Sequence, residues 1–177
     1  MLKKRLGIEA IERDWENFLG NLIYCYKISS TLIIPEGCRV IGERSFENCV
    51  RLKEVKIPDS VKEIGDFAFE GCYELEEVVI PESVKEIDVS AFENCERLEK
   101  IVIPGSVIDI GDWAFAGCRK LGKVKIPGSV EYIGDEAFKG CDNAEITIEK
   151  IESVKEIGTQ AFGGCKSVEY AEEEIRS

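Results

Sequence analysis

Cysteine, serine and acidic side chains are the residues of this chain that could carry chemistry, and each type recurs at a fixed interval. Cysteine can act as a nucleophile, a disulfide partner or a metal ligand, and serine can act as a nucleophile. A catalytic site needs such a group once, whereas a group that recurs in every unit serves the structure of the unit. Six of the eight cysteines are spaced 23, 23, 23, 23 and 24 residues apart, at Cys49, Cys72, Cys95, Cys118, Cys141 and Cys165.

The recurring positions favour structural roles over reactive ones. Cysteines in stacked units would lie about 4.8 Å apart with parallel Cβ directions, which suits packing better than bonding. We therefore expect buried free thiols, with disulfides between neighbouring units as the alternative and no metal site, since a straight ladder cannot surround an ion tetrahedrally. The serine column should satisfy local backbone groups, and the acid column should lie on a solvated turn, although stacked acids can resemble a catalytic carboxylate pair. The serines are Ser60, Ser83, Ser106, Ser129 and Ser153, and the acids are Glu43, Asp66, Asp112 and Asp135.

The composition argues against most enzyme classes. The chain has no histidine, so it lacks the usual general base, the usual activator of a serine or cysteine nucleophile and the commonest metal ligand. It also has no phosphate-binding loop and no dinucleotide-binding fingerprint. We expect no enzymatic activity, no cofactor and no small-molecule substrate.

The charge balance limits the possible partners. The net charge of −12 should repel nucleic acid and anionic membranes, so no direct nucleic-acid or membrane binding is expected. A protein partner, possibly a cationic one, is compatible with it, although such charge commonly serves solubility. Acids at Glu9, Glu12 and Asp14 interrupt the region where a signal peptide would be apolar, and no apolar run approaches about 20 residues. A cytoplasmic location follows, with a surface or secreted one if an export signal had been removed.

The elements that position these side chains can be read from one unit. Val55 and Ile57 flank Lys56, an alternation that predicts a short strand with one face inward, and Pro58 then ends the strand. Val61 and Ile64 lie three residues apart, and the segment from Val61 to Cys72 is too short for more than a helical turn or a 3₁₀ piece. A column of Asn or Gly before each cysteine predicts a left-handed stop. A phenylalanine column should form an aromatic spine in the core, at Phe46, Phe69, Phe92, Phe115, Phe138 and Phe162.

This pattern resembles the BspA-like, or Treponema-type, leucine-rich repeat, which reads roughly L-x-x-I-x-I-P-x-S-V-x-x-I-G-x-x-A-F-x-x-C. The match runs from residue 32 to about residue 168. The resemblance implies an α/β solenoid: a curved, right-handed superhelix with one short parallel strand per coil of about 23 residues and the sheet on its concave face. Proteins of this bacterial family mediate adhesion and protein contacts, mostly at cell surfaces, and the lack of an export signal departs from that habit.

The two ends of the chain differ from the repeat. Apolar residues at Ile8, Ile11, Trp15, Phe18 and Leu22 follow helical spacing, which predicts an N-terminal capping helix or, alternatively, a partner-binding helix. The predicted divisions are a helical cap at residues 1–30, about six coils at residues 31–168, and an acidic tail or partial coil at residues 169–177, whose acids should prevent end-to-end sheet pairing.

A partner should bind where the coils differ, because positions common to all coils serve the fold. The outward strand positions form a stripe with valines in its centre and charged residues around them, a composition typical of protein interfaces. The alternative is that these valines are ordinary strand formers. A second variable column contains Trp113 and Phe67, which favours local packing over a binding hot spot. The predicted partner-binding residues are Glu54, Lys56, Glu77, Val79, Lys100, Val102, Lys123, Lys125 and Trp113.

Three functions remain open from the sequence. The first is a non-enzymatic protein-interaction scaffold that binds a protein through its concave strand face. The second is an acidic inhibitor or nucleic-acid mimic, of phage or mobile-element type, and the third is a fragment of a bacterial surface adhesin with oxidised cysteines. The mimic would use the acids Glu43, Asp66, Glu70, Glu93, Asp112 and Asp135.

Overall fold

A computed structural model describes residues 30–171, and these residues form a parallel β-solenoid. Each coil contributes a first strand before its proline position and a second strand after it. The first strands are β1 (Thr31–Ile33), β3 (Glu54–Lys56), β5 (Glu77–Val79), β7 (Lys100–Val102), β9 (Lys123–Ile126), β11 (Glu145–Ile148) and β13 (Ser167–Tyr170). The second strands are β2 (Val40–Ile41), β4 (Glu63–Ile64), β6 (Glu86–Ile87), β8 (Asp109–Ile110), β10 (Tyr132–Ile133) and β12 (Glu156–Ile157).

Equivalent residues of successive coils lie opposite one another. Val55 pairs with Val78 and Val78 with Ile101 along the first strands, and Ile64 pairs with Ile87 along the second strands. All of these pairs are parallel. In β3, β5 and β7 the middle residue is buried, and the residues before and after it are exposed. The predicted strand alternation is therefore confirmed.

The core consists of the recurring apolar positions. The rings of Phe46, Phe69, Phe92, Phe115, Phe138 and Phe162 stack in one row, with centroids 5.0 to 5.8 Å apart. The thiol of Cys95 donates to the carbonyl oxygen of Phe69 at 3.3 Å, and the equivalent contact recurs from Cys72 to Cys165. Each coil thus hydrogen-bonds through its cysteine to the aromatic residue of the preceding coil.

Most cysteines of the repeat column are free thiols, as expected from the sequence. Cys72, Cys95, Cys118 and Cys141 are free and buried, and Cys165 is free and half-buried. Burial raises the pKa of the Cys72 thiol to about 12, so it stays protonated and unreactive. Cys49 is disulfide-bonded, and the expectation of a free thiol is wrong at that position.

The predicted parallel solenoid with coils of about 23 residues is confirmed. The α/β assignment and the single strand per coil are wrong for residues 30–171. These residues contain no α-helix, and only Ile151–Ser153 forms a 3₁₀-helix. Within the segment from Val61 to Cys72, which was predicted to form no more than a helical turn or a 3₁₀ piece, Glu63 and Ile64 form the second strand because they pair with the neighbouring coils. The capping helix predicted before residue 30 lies outside the described residues.

The segment after the second strand is a chain of tight turns. The amides of Ala68, Glu70 and Cys72 donate to carbonyl oxygens three residues earlier, as in a 3₁₀-helix. A helix does not form because left-handed residues interrupt it twice, at Phe67 with φ 57° and at Gly71 with φ 66°. The amides of Phe67, Phe69 and Gly71 instead donate to carbonyl oxygens of the next coil. The predicted left-handed stop before each cysteine is confirmed, with positive φ at Asn48, Gly71, Asn94, Gly117, Gly140 and Gly164.

Candidate interaction surface

The outward side chains of the first strands lie on one side of the solenoid, which we name the strand face. The pairing register brings Glu54 beside Glu77 and Glu77 beside Lys100, and it brings Val79 beside Val102. Val79 and Val102 are each 55% exposed. Eight of the nine predicted partner-binding residues lie on this face, all of them exposed: Glu54, Lys56, Glu77, Val79, Lys100, Val102, Lys123 and Lys125.

Trp113 is the predicted residue that does not lie on the strand face. It belongs to the turn segment, where its φ is 53°, and its indole Nε1 donates to Glu136 Oε2 of the next coil at 3.1 Å. Hydrogen bonds from Lys139 and then from Trp113 lower the pKa of Glu136. In the same column the Arg44 guanidinium carbon lies 4.2 Å from the centre of the Phe67 ring. The column makes contacts between neighbouring coils, which supports a packing role for Trp113.

The strand face is split between β7 and β9. Strands β1, β3, β5 and β7 form one sheet and β9, β11 and β13 another, so β7 and β9 are the one adjacent pair of first strands within residues 30–171 that does not form a ladder. A shallow groove of about 500 Å³ lies at this split. It is lined by Glu99, Lys100, Lys120, Gly122, Lys123 and Asn143.

Two lysines of the strand face form ion pairs with glutamates, and two others do not. Lys56 Nζ lies 3.5 Å from Glu54, and Lys125 Nζ lies 2.5 Å from Glu149. Lys100 and Lys123, on the two sides of the split, make no ion pair with any residue in the described part of the chain. Both sit at the same register position of consecutive coils, where like charges oppose each other. The prediction grouped these two lysines, but the groove between them depends on the split of the sheet.

The second strands carry an acidic surface that the sequence analysis did not single out. Glu63, Glu86 and Asp109 lie in register on β4, β6 and β8. Asp88 lies next to them at the position where most coils have glycine. Burial first, and then the charges of Asp66, Glu63, Glu86 and Asp109, raise the pKa of Asp88 to about 6. The surroundings of Asp88 are therefore negative, in contrast to the groove.

The predicted acid column holds the backbone of successive coils. Asp66 Oδ1 accepts a hydrogen bond from the amide of Val89 at 3.1 Å, and Asp112 Oδ1 accepts one from the amide of Asp135 at 2.7 Å. Asp135 bonds the amide of Thr159 in the same way. These carboxylates satisfy backbone donors, which agrees with the turn role expected for them.

The serine column has the same kind of role. The hydroxyls of Ser106 and Ser129 each donate to a valine carbonyl oxygen of the preceding coil at 2.7 Å, and Ser83 makes the equivalent bond.

No group of metal-ligating side chains was found among residues 30–171. Within the same residues no helix is long and apolar enough to span a membrane.

Comparison with known proteins assigns the repeat. The sequence model described as BspA type leucine-rich repeat region matches the chain in six copies, over residues 19–145 and 133–173. The chain belongs to the BspA-type leucine-rich repeat family. Members of that family are typically non-enzymatic scaffolds, and the register of this solenoid agrees with the assignment, since each repeat forms one coil. None of the proteins with curated descriptions matches this family member.

Two solved structures of bacterial leucine-rich repeat proteins resemble the solenoid. One is from Bacteroides ovatus, with 35% identity over 78% of this chain and a TM-score of 0.71. The other is from T. pallidum, with 28% identity over 80% of this chain and a TM-score of 0.67. The chain spans 39% of the Bacteroides ovatus protein and 73% of the T. pallidum protein.

Proposed function

We propose that this leucine-rich repeat chain is a non-enzymatic interaction module that binds a protein partner through the strand face. The observation that carries the proposal is the exposed pair Val79 and Val102, held side by side on paired strands and surrounded by charged side chains. An apolar centre with a polar rim is the usual composition of a protein interface. The interior of every coil is occupied by the repeat, so selectivity rests on this variable surface.

The mechanism is rigid display. Backbone ladders and the phenylalanine row fix the spacing of neighbouring coils, so a partner meets side chains that are already in position. Binding to a preorganised surface costs little ordering of the scaffold itself. The contacts we propose are Glu54, Lys56, Glu77, Val79, Lys100, Val102, Lys123 and Lys125, with Trp113 as a separate candidate on the turn segment.

The proposal is tested with the double variant Val79→Asp/Val102→Asp. Both valines are exposed, so the variant keeps the core intact and should fold, with a modest loss of thermal stability because two aspartates oppose each other on paired strands, while the aspartate pair disrupts the apolar centre. The matched control is Val50→Asp/Tyr73→Asp, two side chains that are each 43% exposed in another column.

The assay compares proteins captured from the source cells by the wild type and the two variants. A protein that the wild type and the control capture directly, and that the strand-face variant loses, is the expected result. Equal capture by all three forms would show that the strand face is not the binding surface.

A further inference from the structure

The groove at the split of the strand face differs in charge from the rest of the molecule. Three lysines and one glutamate line it, and Lys120 lies 3.8 Å from Glu99 in a weak pair. The amino groups of Lys100 and Lys123 therefore supply the charge of the groove, about +2, in a chain whose net charge is −12. Charges more than about 8 Å away are largely screened at physiological salt, so a bound group in the groove interacts with these lysines and with their in-register neighbours Glu77 and Glu145. Glu145 is already paired with Lys166, which leaves the balance of the groove positive.

Apolar side chains continue directly from the groove. Val102 and Lys100 belong to the same strand, β7, and Val79 lies opposite Val102 on β5. A ligand that reaches both lysines therefore meets two exposed valines beside them. The surface combines two cationic donors with an aliphatic patch, and a ligand complementary to it carries carboxylates next to an aliphatic side chain.

We propose that the groove binds a segment of a partner protein in which two closely spaced carboxylates pair with Lys100 and Lys123 and a neighbouring aliphatic side chain packs on Val79 and Val102. This inference rests on the proposed function of the strand face and specifies the chemistry of the partner. It places on this face an acidic partner, whereas the net charge of the chain alone suggested a cationic one.

Glutamates on the same face favour an acidic peptide over a nucleic acid. Glu77 lies opposite Lys100 in the ladder, and Glu54 lies opposite Glu77, so a long polyanion that crosses the strands from coil to coil would meet like charge within two coils. A short acidic segment contacts only the groove and avoids this repulsion.

The test uses two synthetic peptides with blocked ends, one with the sequence Gly-Glu-Val-Glu-Val-Gly and one with glutamine in place of each glutamate. Binding is followed by amide shifts in two-dimensional NMR spectra of the ¹⁵N-labelled full chain. The test variant is Lys100→Gln/Lys123→Gln, and the control is Lys62→Gln/Lys85→Gln, which removes two exposed lysines of consecutive coils away from the strand face.

The expected result is that the glutamate peptide shifts amides of β7 and β9 and binds at least about tenfold more tightly than the glutamine peptide. The Lys100→Gln/Lys123→Gln variant should lose this difference, and the control variant should retain it. Failure of the glutamate peptide to shift these amides at millimolar concentration would overturn the inference, as would an equal loss of binding in the control.

Two further outcomes separate this inference from the proposed function. If both peptides bind equally and Val79→Asp/Val102→Asp abolishes the binding, the strand face is an interaction surface without a preference for carboxylates, and the inference fails alone. If a twelve-nucleotide single-stranded DNA displaces the glutamate peptide from β7 and β9, the groove recognises anions generally, and the assignment to an acidic protein segment is overturned.

Discussion

Asp88 is the one acid that replaces glycine in its column, and its removal should stabilise the protein. The other coils have Gly42, Gly65, Gly111, Gly134 or Gly158 at this position. The Asp88 carboxyl group is half-buried beside four acidic side chains. We predict that Asp88→Asn, which keeps the shape and removes the charge, increases the free energy of unfolding at pH 7.5.

The magnitude follows from the pKa. The pKa of Asp88 is raised from 3.8 to about 6, chiefly by burial and then by the charges of Asp66, Glu63, Glu86 and Asp109. A pKa difference of about 2 corresponds to about 3 kcal/mol between the two protonation states. Because the side chain is half-exposed, solvent screening reduces the expected gain to about 1 kcal/mol.

The pH dependence gives the sign. The folded chain binds this proton more tightly than the unfolded chain, so Asp88 lowers stability progressively as the pH rises through about 4 to 6. Above about pH 7 the full cost is present, and at pH 4.5 about two-thirds of it is removed by protonation. The stability advantage of Asp88→Asn should therefore be largest at pH 7.5 and should shrink by about two-thirds at pH 4.5.

The assay is urea unfolding followed by circular dichroism at pH 4.5, 6.0 and 7.5. Asp59→Asn serves as the control, since Asp59 is an exposed acid on the turn after Pro58, and its effect should stay within about 0.5 kcal/mol at each pH. A variant Asp88→Asn that is no more stable than wild type at pH 7.5, or whose advantage is the same at pH 4.5, would refute the reasoning.

Three further predictions concern the repeat itself. Phe92→Ala should cost about 3 to 5 kcal/mol in thermal or urea unfolding because its ring is fully buried between two others, and Phe162→Ala should cost less because the last ring has one stacked neighbour and is partly exposed. Gln160→Gly should increase the free energy of unfolding by up to about 1 kcal/mol, because the φ of 52° at this position is strained for glutamine and not for glycine. Gly158→Ala should decrease it, because the added Cβ would collide with the backbone of Asp135. A higher urea midpoint for Gly158→Ala than for the wild type would contradict this. Cys165 should react with a thiol reagent before the inner free cysteines, as peptide mapping by mass spectrometry can show, because it is only half-buried.

The parts of the fold that the sequence revealed are those that each repeat encodes locally. The alternation around Val55 and the proline after it are enough to predict a strand and its end, and the period of the phenylalanines predicts their row. The second strand was missed because Glu63 and Ile64 are only two residues, too few for an alternation to show. Their strand conformation depends on pairing with the coils on either side, which is not local information.

The sequence predicted which residues lie on the strand face, but it did not predict the split of that face or the groove. The outward positions follow from the strand period, and the structure brings eight of them onto one face. The left-handed backbone at Phe67 and Trp113 was not predictable from residue type, because aromatic side chains rarely adopt it, and the geometry of the turn imposes it. The split between β7 and β9, and hence the groove, also depends on how whole coils pack.

The row of phenylalanine rings has a consequence for how such a chain can change over generations. Each inner ring meets an identical ring above and below at nearly the same separation, so an inner coil presents the same contacts to both of its neighbours. A duplication or deletion of one 23-residue unit would leave every interior contact type intact while lengthening or shortening the displayed surface. Replication slippage can therefore produce new recognition surfaces from this protein without passing through a variant that does not fold.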